Sequence, residues 1–209
     1  MNLLFLLLPL SCFAINYLPE EFTITERFFS LASSFDIACE EQQIATATKR
    51  LFALTPVYDL EDSECQPLAT ARARFFSWGS VADIEDPEGE NLGRIEENSW
   101  RILPWGEYKV FDAENKEILR ATMDFWGTEF TVMNPAAPDH LIATIRRPFI
   151  RLFRDHWTVH IYDHPLFERE ALDPRILILL AVYQTDKDNR ARFFQEYKTQ
   201  LLKEFEKLE

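Results

Sequence analysis

Histidines, cysteines, an acidic run and a group of arginines are the residues of this chain with the means to do chemistry. Three of the four histidines fall in the pattern His156-x3-His160-x3-His164. On a helix that spacing would place them on one face and suggest zinc. The intervening Trp157-Thr158-Val159 and Ile161-Tyr162-Asp163 read as strand instead. Four residues of strand span roughly 13 Å at about 3.3 Å each, too far to share one metal at bonds near ~2 Å. The histidines are therefore read as polar positions on an outer face, and no metal is expected.

Asp86, Glu88, Glu90, Glu96 and Glu97 could suggest calcium, but they lack the ligand spacing of an EF-hand loop. They read as a solvated acidic turn. The sequence has no Gly-x-Ser-x-Gly, His-Glu-x-x-His, Walker loop or dinucleotide fingerprint. Cys39 and Cys65 have no motif context for a nucleophile, and two thiols make no framework. They fall in matching turns of neighbouring repeats, so a Cys39–Cys65 disulfide is an expectation tied to export. Two inert thiols are the alternative. No cofactor and no enzymatic activity are expected.

Charge gives the clearest functional hint. The chain has 22 Lys and Arg against 35 Asp and Glu, for a net charge of −13. So acidic a chain is a poor general binder of nucleic acid, which demands a positive face. Yet Leu141–Arg154 holds Arg146, Arg147, Arg151 and Arg154 with no acid. Such an island could hold an anionic headgroup or phosphate through bidentate guanidinium contacts. The competing reading is ion pairing with nearby carboxylates, which contributes little to stability.

The elements that would carry these residues follow from an internal repeat. Phe28-Phe29-Ser30-Leu31 … Phe35-Asp36-Ile37 is echoed by Leu51-Phe52-Ala53-Leu54 … Tyr58-Asp59-Leu60 and by Phe75-Phe76-Ser77-Trp78 … Ala82-Asp83-Ile84. Weaker echoes begin at Ile102, Phe125 and Phe149. In the same phase, Ala45, Ala69 and Gly93 lie 24 residues apart, followed by Ala121 and Ala143. Each unit reads as a strand, an aromatic turn, a second strand and a polar turn such as Glu40-Glu41-Gln42 or Asp86-Pro87-Glu88-Gly89. Alternation supports strands: Ala69, Ala71, Ala73 and Phe75 share one face, and Trp157, Val159 and Ile161 share another. Six units give about 12 antiparallel strands, near the number that closes a barrel.

A barrel of that width leaves space that wall side chains alone do not fill. Ile176–Tyr183 is apolar all round, as a buried helix is, and too short to span a bilayer. Asp173 can cap it and Pro174 suits its first turn. The expected fold is mainly β: a closed antiparallel barrel threaded by a hydrophobic helix over about residues 173–185. The small residues from Ala45 to Ala143 would make room for that helix on the inner wall. Residues 187–209 read as a terminal amphipathic helix, with Phe194, Tyr197, Leu201, Phe205 and Leu208 at spacings of three or four. Residues 1–14 resemble a short secretory signal without a basic n-region, or an apolar arm packed on the domain. That favours export slightly over a cytoplasmic location.

The run Phe22-Thr23-Ile24 … Arg27-Phe28-Phe29-Ser30-Leu31 … Phe35-Asp36-Ile37 resembles the opening of LURP-one-related proteins, of the tubby C-terminal-like and phospholipid scramblase superfamily. The hairpin repeat and the apolar helix after Leu172-Asp173 are similar too, so the resemblance covers roughly residues 20–186. It implies a barrel of about 12 strands around a C-terminal hydrophobic helix. Tubby domains bind phosphoinositides through basic surface residues, and scramblases are associated with calcium and membranes. Many LURP-one-related members have no assigned activity. No phosphoinositide-binding residue carries over by motif. The scramblase acidic segment is echoed only by Asp163 and Asp173, and its cysteine-rich segment has no counterpart. The expected task is a non-catalytic binding module, monomeric, presenting Arg146–Arg154 to an anionic phospholipid or a protein partner. The alternatives are an exported structural or host-interaction protein, or a scramblase-like lipid handler with an interior cavity.

Overall fold

Twelve strands, each alternating between a buried and a wetted face, organise the chain. A computed structural model describes residues 18–27, 33–75, 80–97, 106–124, 128–147, 156–168 and 172–186. The strands are β1 (Glu21–Glu26), β2 (Ser34–Cys39), β3 (Gln42–Lys49), β4 (Val57–Asp62), β5 (Pro67–Ala73) and β6 (Val81–Glu85). The second half supplies β7 (Asn91–Glu97), β8 (Glu107–Asp112), β9 (Glu117–Met123), β10 (Glu129–Asn134), β11 (Ala137–Arg146) and β12 (His156–Ile161). A short helix α1 (His164–Glu168) follows, then a second helix, α2, over residues 174–186. The expected leader at 1–14 and the expected amphipathic helix at 187–209 lie outside the described residues.

Every strand pairs antiparallel with its sequence neighbours, and β1 pairs β12, so the sheet closes into a barrel. Closure leaves no edge strand open to another chain. The repeat is visible in the register. The hairpins β2–β3, β4–β5, β6–β7, β8–β9 and β10–β11 each shift register close to their turn. Such a shift adds local twist, which helps a sheet curl closed.

The inner faces are apolar. Ile37, Ala45, Leu60, Ala71, Ile84, Ile95, Val110, Ala121, Val132 and Val159 are fully buried. Outward positions carry Asp59 and Glu61 on β4, Thr70 and Arg72 on β5, and Lys109 on β8, none of them buried. A barrel that spans lipid needs the opposite arrangement, an apolar outer band. Among the described residues, no helix is long and apolar enough to cross a membrane either.

Helix α2 packs against those inner faces. Asp173 caps it: its side chain accepts a 2.9 Å bond from the Arg175 amide, with Pro174 at the first helical position between them. Every residue from Ile176 to Asp186 is at most 4% exposed. Inward-facing tyrosines of β4 and β8 bond it from different sides of the ring. The Tyr58 hydroxyl donates to Asp186 at 2.6 Å, and the Tyr108 hydroxyl donates to Gln184 at 2.7 Å.

Two sequence expectations change in detail. Ala69, Ala71 and Ala73 face inward as the alternation requires, but Phe75 is 64% exposed. Strand β5 ends at Ala73, so Phe75 lies beyond the pleat and no longer shares its face. Gly93 is on the inner wall with Ala45, Ala69, Ala121 and Ala143, but its need is more specific than room for a helix. A Cβ there would sit 2.3 Å from the Phe111 carbonyl oxygen of the neighbouring strand.

Candidate functional site

Strand direction sorts the connections to two ends of the barrel, and the two ends differ in chemistry. At one end lie the tight hairpin turns. Three share a single design. Asp62, Asp86 and Asp112 each accept from the amide four residues on, Gln66, Glu90 and Lys116 respectively. Residues Cys65, Gly89 and Asn115 then adopt left-handed φ of 61°, 85° and 68°. These turns carry Glu64, Glu88, Glu90 and Glu114, and the β2–β3 turn adds Glu40 and Glu41. The acidic run at 86–90 is thus a solvated turn fixed by its own aspartate. Among the described residues no group of His, Cys, Asp and Glu could hold a metal ion.

The opposite end receives the six connections that contain the aromatic repeats. In three of them an arginine stands where the strand stops and the apolar stretch begins. Arg27, Arg50 and Arg74 donate their backbone N–H to the carbonyl seven residues on, at Ser34, Val57 and Val81. Their guanidinium groups reach the carboxylate nine residues on. Arg50 holds Asp59 with two bonds of 2.6 and 2.7 Å, and Arg74 holds Asp83 with two of 2.7 Å. Arg27 reaches Asp36 at 2.7 Å. These side chains are about half exposed, at 44%, 48% and 51%. Their carboxylate hydrogen bonds raise each arginine pKa. Burial pushes Asp59 up, but bonds from Arg50 and Thr70 outweigh it and leave its pKa below the ordinary value.

The apolar stretch after Arg50 reaches fully into solvent. Leu51 is 47% exposed, Leu54 93% and Phe52 102%. Phe52 also has a left-handed φ of 57°. That conformation suits glycine or asparagine far better than a bulky aromatic.

The four arginines singled out from sequence do not form one group. Arg146 ends β11 at this same end of the barrel, 58% exposed, and donates to Glu129 on β10 at 2.6 Å. That bond raises its pKa. Arg147 turns toward the wall, its guanidinium 5.1 Å from the ring of buried Trp157. Arg151 and Arg154 lie outside the described residues. Cys39 and Cys65 are free thiols, at the end of β2 and in the β4–β5 turn. Burial, with Glu40 and Glu21 nearby, pushes the Cys39 thiol up and so away from thiolate reactivity. His156 and His160 occupy the outer face of β12, and His164 begins α1. His160 packs edge-on against Tyr162 at 4.5 Å.

Sequence reading passed over the repeated arginines. The signal was present, since Arg27–Asp36, Arg50–Asp59 and Arg74–Asp83 share one spacing in step with the aromatic repeat. It also passed over a polar cluster under this end of the barrel. Asp186 accepts from Lys49 at 3.1 and 3.3 Å as well as from Tyr58, and the Tyr183 and Ser80 hydroxyls bond each other nearby. This cluster ties α2 to β3, β4 and the residue before β6. Its carboxylate is occupied by a lysine and a tyrosine, which suits anchoring.

A crystal structure of a protein from Arabidopsis thaliana superimposes with a TM-score of 0.58 at 13% identity, covering 83% of this chain and 95% of that one. At that identity the likeness speaks for the fold. No curated protein matches the sequence. A family model described as LURP-one-related matches residues 20–182, which span β1 to β12 and most of α2. The resemblance carried by Phe22–Ile37 and by the helix after Asp173 is therefore borne out over the whole barrel, and the chain belongs to the LURP-one-related family.

Proposed function

We propose that this protein is a non-catalytic docking barrel that binds an anionic lipid headgroup at the end carrying Arg146. The observation behind the reading is the polarity of the barrel. Arg27, Lys49, Arg50, Arg74 and Arg146 lie at one end, while the turns with Glu40, Glu64, Glu88 and Glu114 lie at the other. Each of these cations is paired with a carboxylate, so an anionic surface is repelled less by the first end than by the second, whose turns carry acids. The arginines are paired but remain partly exposed, so a phosphate can share a guanidinium with its carboxylate. The expected Arg146, Arg147, Arg151 and Arg154 site narrows in this reading. Arg146 is its surface member within the described residues, Arg147 props the wall against Trp157, and Arg151 and Arg154, outside the described residues, belong to the proposal by sequence alone.

The test is co-sedimentation of the full chain with phosphatidylcholine vesicles, with and without phosphatidylserine. Binding is expected only with the anionic lipid, is weakened by salt, and is lost in Arg146→Glu/Arg151→Glu. Equal binding to both vesicles, or indifference to the charge reversal, overturns the reading.

A further inference from the structure

We infer that the Leu51–Leu54 turn enters the lipid interface, so that the barrel meets an anionic membrane end-on with its acidic turns pointing away. This rests on the headgroup reading above and adds what holds the barrel there and in which orientation.

Three observations carry it. Phe52 and Leu54 are 102% and 93% exposed, on a stretch from Leu51 to Val57 without a formal charge. Large apolar side chains scattered on a surface are ordinary, but two almost wholly exposed ones two residues apart in one turn are not spent on this protein's core. Second, the backbone at Phe52 gives no reason for phenylalanine. With φ at 57°, a glycine or asparagine would relieve the turn, so the aromatic ring is not there for folding. Third, the tip follows directly on a half-exposed cation that is held in place, Arg50 clamped by Asp59. Apolar side chains that enter the acyl boundary beside cations at headgroup level form the usual pattern of interfacial attachment.

Orientation follows from charge and topology together. Phe75, just beyond the end of β5 at this same end, is 64% exposed. The far end carries acidic hairpin turns, which an anionic surface repels. A barrel lying on its side would press Asp59, Glu61 and their counterparts on other strands against lipid.

The experiment compares the full chain, Phe52→Asn/Leu54→Ser, and Arg146→Glu/Arg151→Glu on phosphatidylserine-containing vesicles. Asparagine keeps the left-handed turn, so the double variant should hold its circular dichroism spectrum and thermal midpoint. Its binding is expected to fall by roughly tenfold or more, since two large side chains no longer leave water, while its salt dependence remains. If it binds as well as the parent while the arginine variant does not, the insertion is overturned and the headgroup reading stands. If the parent chain binds no anionic vesicle, both fall, and the exposed tip belongs to a protein contact.

Discussion

The Tyr58 hydroxyl on β4 and the Asp186 carboxylate on α2 are 2.6 Å apart, and through them the helix is fastened to the barrel wall. Tyr58 is 1% exposed and Asp186 1%, so neither group has water to fall back on. A buried carboxylate is costly unless its hydrogen bonds are made. Here Tyr58 and Lys49 make them, and the same contact brings α2 to the arginine-bearing end of the barrel.

Tyr58→Phe keeps the ring and deletes only the hydroxyl. It is expected to destabilise the protein by about 1–3 kcal/mol, the cost of leaving a buried acceptor short of a donor. At this chain length that lowers the thermal midpoint by about 2–4 °C for each kcal/mol. Unchanged urea and thermal midpoints would mean that the bond does not fasten the helix.

The Arg50–Asp59 clamp makes stability depend on acid. Asp59 has a folded pKa below its ordinary 3.8, so its contribution is complete above that value and disappears as pH falls through the lower folded value. Asp59→Asn should therefore cost about 0.5–1 kcal/mol at neutral pH and converge on the parent chain in acid. Urea midpoints across that range give the difference, and a gap that widened on acidification would contradict the sign.

Cys65 occupies the left-handed position that Gly89 and Asn115 fill in the two sister turns. Cys65→Gly is expected to stabilise the protein by about 1 kcal/mol, because the β-carbon clash is relieved. A lower midpoint in reducing buffer would show that the thiol makes a contact worth more than the strain.

Gly93 is the reverse case. Adding a Cβ places it 2.3 Å from the Phe111 carbonyl, at a φ of 154° that side chains rarely adopt. Gly93→Ala should cost about 2 kcal/mol or more, with the backbone forced to move. A variant of parental stability would mean that β7 and β8 separate there without penalty.

The barrel was legible because its signals are local and repeated. Asp86-Pro87-Glu88-Gly89 announces a turn, and Trp157, Val159 and Ile161 announce a strand with one wet face. The buried helix was legible from Ile176–Tyr183, since a segment apolar on all sides has no solvent face to offer. The arginine-bearing end was harder. Arg146 and Arg147 are adjacent in sequence but diverge in the fold, one outward to Glu129 and one inward over Trp157. Charge composition sees two cations and cannot see that the last residue of β11 and the one after it turn to opposite sides of the wall. The Arg50–Asp59 spacing was readable in principle. Its meaning depends on two strands pairing so that residues nine apart come within 2.6 Å, which is a property of register rather than of composition.

Amide hydrogen exchange of the full chain, with and without phosphatidylserine vesicles, tests the docking of this end most directly. The account predicts slowed exchange across residues 51–56 and no change across residues 86–90 in the opposite turn. Slowing at 86–90, or along the outer strands with none at 51–56, would contradict it.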